Sequence, residues 1–222
     1  VSESLTISQQ LERADWIGYA LATLGWISFC LGNYVAARQQ YAESLASFRK
    51  INHQLGVSLA IGGLSWVAWA TREPTLAEAR TLAEESLAIC RRLDHRLNIA
   101  HRLGALARIA NDAHDYDNAQ KYAEEGIAVA TQVGTPSFLS LNLSCLGETA
   151  YRVGNLTNSR QYLLRALQVA TEAQLWPRVT AALFQYAILL QKEGDQAPPP
   201  HDPMFVQKQT QALTILTLVA HH

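Results

Sequence analysis

Residues 146–167 read LGETAYRVGNLTNSRQYLLRAL, and residues 24–45 read LGWISFCLGNYVAARQQYAESL. In both, Leu-Gly is followed seven residues later by Gly-Asn, then by an apolar residue, then by small or apolar residues at helical spacing. Gly ends a helix by taking left-handed backbone, and Asn caps the helix that follows. Each stretch predicts a helix, a tight turn and a second helix that folds back. Two copies predict an internal repeat.

The residue after each turn serves as a ruler: Tyr34, Leu76, Tyr116 and Leu156, at intervals of 42, 40 and 40. Three residues on stand Ala37, Ala79, Ala119 and Ser159, and four further on Tyr41, Ala83, Ala123 and Leu163. Ser44-Leu45, Ser86-Leu87, Gly126-Ile127 and Ala166-Leu167 follow. This spacing places them on one helical face, and the small residues allow two backbones to approach closely. The helices before the turns show a matching face at Leu21 and Leu24, Ile61 and Leu64, Leu103 and Leu106, Leu143 and Leu146.

The turns at His114-Asp115 and Arg72-Glu73-Pro74-Thr75 depart from the Gly pattern. The acidic residues around His114 (Asp112, Asp115 and Asp117) read as helix caps rather than metal ligands. Gly62-Gly63, inside a helix, predicts close helix packing.

The expected architecture is all-α, a single domain over 1–222. A leading helix covers about 2–13, and repeats follow at about 15–51, 55–93, 95–132, 136–173 and 176–219. A proline-rich loop, 197–203, splits the last pair. The opening Glu3–Asp15 resembles the closing helix Glu84–Arg96, so the chain reads as starting halfway through a repeat of a longer protein. No pair buries its apolar face alone; stacked neighbours share one core.

Composition narrows the function classes. A net charge of −1 over 222 residues gives no electrostatic footprint for nucleic acid or an anionic membrane. No apolar run approaches the ~18 residues of a membrane span. Cys30, Cys90 and Cys145 read as small buried hydrophobes, and their odd number fits a reducing cytosol. The cluster Arg91, Arg92, Arg96 and Arg102, interleaved with acids, reads as a solvated, salt-bridged face. No GxxxxGK[ST], GxGxxG, GxSxG or HExxH occurs. Neither catalytic residues, nor a cofactor, nor a metal site is expected.

Leu-Gly, then Gly-Asn-Tyr, then Ala, an aromatic and a small residue before Leu resembles the tetratricopeptide repeat. The period of about 40 marks a longer variety than the usual 34. With the form ESLAICRRLDH at 85–95, it is similar to the helical sensor domains of large bacterial transcriptional regulators that carry a signalling ATPase. The resemblance implies a right-handed superhelix of about five helix pairs plus a leading helix. It also implies that the first helix of each pair lines a concave groove. By register, that groove carries Trp26 and Phe29; Trp66 and Trp69; Arg108, Asn111 and Asp112; Glu148, Tyr151 and Arg152; and Ile188, Gln191 and Lys192.

Two readings of the tryptophans stand side by side: groove anchors, or packing under a neighbouring helix. The expected function is a protein- or peptide-binding module, the sensor or interaction domain of a cytoplasmic signalling or transcriptional regulator. One alternative is a small-effector-binding domain. The other is a scaffold self-associating through Leu5, Ile7 and Leu11 and through Leu213, Leu216 and Val219, as a homodimer. Nucleic acid and membrane are not expected as direct partners.

Overall fold

A computed structural model of the chain describes residues 14–72 and 75–195. Among these, nine helices and no strand occur: α1 (Ala14–Cys30), α2 (Tyr34–Lys50), α3 (Gln54–Thr71), α4 (Leu76–Arg92), α5 (Arg96–Asp112), α6 (Tyr116–Val133), α7 (Pro136–Arg152), α8 (Leu156–Glu172) and α9 (Trp176–Asp195). The expected helices at 2–13 and 204–219, and the loop 197–203, lie outside the described residues. No described helix is long and apolar enough to cross a membrane. The chain divides into two compact units, one ending at Ala113 and one starting at His114.

Turn chemistry follows the sequence closely. Gly32 and Gly154 take left-handed backbone, with φ of +75° and +84°. Asn33, Thr75, Asp115 and Asn155 then accept the N–H three residues on. Where the Gly is missing, Arg72 and His114 adopt the same conformation at φ +59°. The turns between repeats use Asn52, Asp94 and Gln174 at positive φ. There His53 and His95 act as caps, their Nδ1 accepting from the N–H of Gly56 and Asn98.

Within unit 1 the two helices of a pair meet at small residues. Ser44 Oγ donates to the Gly18 carbonyl at 2.7 Å in the α1–α2 pair. Ser86 Oγ donates to the Ser58 carbonyl at 2.8 Å in the α3–α4 pair. A side-chain hydroxyl reaches a neighbour's backbone only where the two backbones nearly touch. Around this crossing, large side chains of α2 enter gaps left by glycines. The Phe48 ring covers Gly18 of its own pair and Gly56 of the next; Tyr41 covers Gly25 and Gly63. Residues 41 and 48, 18 and 25, 56 and 63 are each seven apart, so two rings fit two glycine pairs in matching register. Phe48, Val57, Ile61 and Ile89 form one apolar cluster; Ala22, Ala37, Tyr41 and Val67 form another.

Gly62 makes room for the Arg102 guanidinium. This corrects the reading of Arg102 as part of a solvated basic face: it is buried, with 2% exposure. Burial pulls its pKa below the ordinary value, countered by the Cys90 thiol, which hydrogen-bonds it, and by Tyr41. Cys90 and Cys145 are buried as expected, but Cys30, at the open end of α1, is exposed.

Unit 2 repeats the crossing with the partners exchanged. Ser140 Oγ of α7 donates to the Ala166 carbonyl of α8 at 3.0 Å. Gly147 receives Leu163, and Gly126 lies against Asn142. Leu143, Ala166 and Ala182 anchor its apolar cluster.

Two outcomes follow from unit 1. A Cβ at position 63 would overlap the Tyr41 ring, so Gly63→Ala should lower stability by about 1–3 kcal/mol in urea denaturation. That loss comes despite the ~1 kcal/mol that Ala ordinarily gains over Gly in a helix. The second outcome concerns pH. Burial, with the Cys30 thiol adding and Arg102 opposing, pushes the Tyr41 phenol up to about 12. A raised phenol pKa favours the neutral form in the folded state, so its contribution is whole below pH 10 and is lost as pH rises towards 12. Relative to Tyr41→Phe, the wild type should lose roughly 2 kcal/mol over that window, read from urea titrations at stepped pH.

Candidate functional site

The register that defines the core face also decides what the first helices present elsewhere. In unit 1 these are α1, α3 and α5, and their predicted residues meet in one chain of ring contacts. Trp26 stacks on Phe29, centroids 5.6 Å apart and planes 18° apart. Phe29 lies 6.4 Å from Trp66, and Trp66 meets Trp69 edge-on at 5.4 Å. Arg108 from α5 sets its guanidinium carbon 5.9 Å from the Trp66 centroid and 5.5 Å from that of Trp69.

Charge is arranged around the second indole. Trp69 Nε1 donates to Asp112 Oδ2 at 2.7 Å, and Arg72 Nη2 donates to the same oxygen at 3.0 Å. The Arg72 guanidinium also lies 6.0 Å from the Trp69 centroid. Asp112 thus fixes the indole edge and neutralises one of its two flanking cations.

The two readings of the tryptophans divide between residues. Trp26 is 48% exposed. Trp66, held between Phe29 and α5, is only 8% exposed. Phe29, Trp69 and Arg108 are half-buried. Asn111 is wholly buried and belongs to the packing beneath this face.

Register reasoning did not name His101, which stacks on Trp66 at 6.3 Å, or Arg72. His101, Arg108 and Asp112 stand seven and four apart on α5, the spacing of one helical face, and that signal was present in the sequence. Arg72 sits in a turn, where helical spacing carries no information.

In unit 2, Glu148 bonds Arg152 at 2.9 Å and accepts from Gln185 Nε2 at 3.3 Å. Lys192 Nζ lies 4.4 Å from the Tyr151 ring centroid. Arg160 pairs with Glu193 and contacts the Tyr186 hydroxyl. Glu148, Tyr151, Arg152 and Lys192 therefore already have partners within this unit. A small cleft formed by α6, α7 and α8 is lined by Gln120, Leu146, Asn155, Asn158 and Tyr162, without a concentration of charge.

No protein-family model and no curated protein matches the sequence. Solved structures do. A Rap protein complexed with competence and sporulation factor superposes with a TM-score of 0.76 at 13% identity, over 92% of this chain and 55% of that one. A STAND signal-transduction ATPase with a tetratricopeptide repeat sensor, from Pyrococcus horikoshii, gives 0.64 at 15% identity, over 92% of this chain and 34% of that one. BtubC (BKLC) from P. vanneervenii gives 0.72 at 14% identity, over 100% and 90%. The chain spans about half the length of the Rap protein and about a third of the STAND protein. At these identities the likeness concerns the fold, a tetratricopeptide-type array of helical repeats.

The Trp69–Asp112 bond is open to direct measurement. A double-mutant cycle of Trp69→Phe and Asp112→Ala, read by chemical denaturation, should return a coupling of about 1–2 kcal/mol, as for a hydrogen bond to a charged acceptor.

Proposed function

We propose that the chain is a binding module, not an enzyme, and that the aromatic face of α1, α3 and α5 receives a protein or peptide segment. The role fits the sensor or interaction domain of a signalling regulator. The observation that carries this reading is the exposed Trp26 stacked on Phe29 and continuous with Trp66, Trp69 and Arg108. Tryptophan and arginine dominate binding hot spots because a large rigid surface is desolvated at low entropic cost. An indole 48% exposed and stacked on a neighbouring ring offers apolar area that a partner can cover.

Trp26 is the clean test, because its exposure separates binding from folding. Random peptides displayed on phage would be panned on the chain and the recovered sequences measured by fluorescence anisotropy. Trp26→Ala should weaken binding ten-fold or more, with the unfolding midpoint nearly unchanged. Trp66→Ala should instead lower the midpoint. Recovery of no peptide, or unchanged affinity in Trp26→Ala, would remove the proposal.

A further inference from the structure

Arg108 stands out among the cations of unit 1. Its guanidinium lies against two indoles, yet among the described residues it makes no ion pair or hydrogen bond. Its Nε is enclosed without an acceptor. The indole N–H of Trp66, 8% exposed, is likewise enclosed and unpaired. Arg72, on the other side of Trp69, already has Asp112. One uncompensated positive charge therefore remains on an aromatic floor beside an unpaired donor. Nε and the indole N–H lie below the surface, so an acceptor from outside the chain meets the guanidinium at its terminal Nη groups, which the described residues leave without a hydrogen bond.

The acceptor's chemistry can be narrowed. A guanidinium is a planar fork that matches a carboxylate and cannot lose its proton. Low local dielectric over the indoles strengthens that pairing. A dianion such as phosphate fits worse: only one cation is free, and Asp112, four residues further along α5, would repel the second charge. We propose that Arg108 anchors one acidic side chain, Asp or Glu, within an extended peptide. A large apolar residue of the same peptide rests on the Trp26–Phe29 stack. This rests on the peptide-binding reading above and adds the partner's chemistry to it.

The test uses the full 222-residue chain and two random dodecapeptide libraries. One is displayed between constant flanks, with no free C-terminus; the other ends in a free carboxylate. The flanked library should enrich Asp or Glu near a large apolar residue. A selected peptide, synthesised with an amidated end, should bind ten- to a hundred-fold tighter than its Asp→Asn twin, the range of a charge-assisted hydrogen bond. In Arg108→Gln that difference should vanish, whereas Trp26→Ala should weaken both twins alike. Arg108→Lys should keep only part of it, because the planar fork is gone. The twin comparison on the wild type decides the matter even if an Arg108 variant misfolds. Equal binding of the twins would overturn the acidic anchor and leave the peptide-binding reading standing. Enrichment only with free C-termini would overturn the side-chain source. No enrichment in either library would bring down both readings.

Discussion

The pairs α1–α2, α3–α4 and α7–α8 each depend on two backbones touching at one point. Ser44 on Gly18, Ser86 on Ser58, and Ser140 on Ala166 mark that point in three pairs. At each, one side chain is a serine and the other is no larger than a serine. The hydroxyl closes the crossing by donating to a carbonyl that is already a helix acceptor, so no buried polar group is left over. A larger residue on either side would force the helices apart. The gaps that receive Tyr41 and Phe48 would then open into cavities, and cavity formation in a packed core is among the more damaging changes a fold meets.

Most of this was legible before any coordinates. Small residues recurring at Ala37, Ala79, Ala119 and Ser159 are visible as letters, and all four are fully buried. Gly-Asn turns announce themselves because few residues tolerate left-handed backbone. What escaped were effects that depend on a partner far along the chain. Arg102 looks like a surface cation until Gly62, forty residues earlier, is known to face it. His53 and His95 cap helices, but histidine is an uncommon cap and carries no such signal by itself. His114 shows that a turn whose neighbours fix its shape holds a non-glycine residue at positive φ.

The aromatic face of unit 1 was legible in identity but not in exposure. Of the residues that register placed on the first helices of unit 1, Trp26, Phe29, Trp66, Trp69 and Arg108 lie in one run of ring contacts, while Asn111 is buried beneath it. Exposure could not be read the same way, because Trp26 and Trp66 stand at equivalent places on α1 and α3. Trp66 has neighbours on both sides, Phe29 from α1 and His101 and Arg108 from α5. Trp26 stacks on Phe29 of its own helix. Equivalent positions in a repeat thus differ by their place in the stack, which a single-repeat pattern does not encode.

The two units also differ in how their polar groups are used. On α7 and α9, Glu148, Arg152, Gln185, Tyr151 and Lys192 are paired among themselves. Such a surface is already satisfied and gains little from a ligand that must first break those contacts. On α3 and α5 the pairing stops one short: Asp112 serves Trp69 and Arg72, and Arg108 rests on aromatic carbon alone. Aromatic faces hold a guanidinium in place without consuming its donors, since the attraction acts on the ring's electron density rather than through N–H bonds. The indoles thereby pre-orient a cation at little entropic cost and leave its hydrogen-bonding capacity for something else. The small crossings and filled gaps that hold the array together make no use of that arrangement, and the recognition proposed above is what it supports.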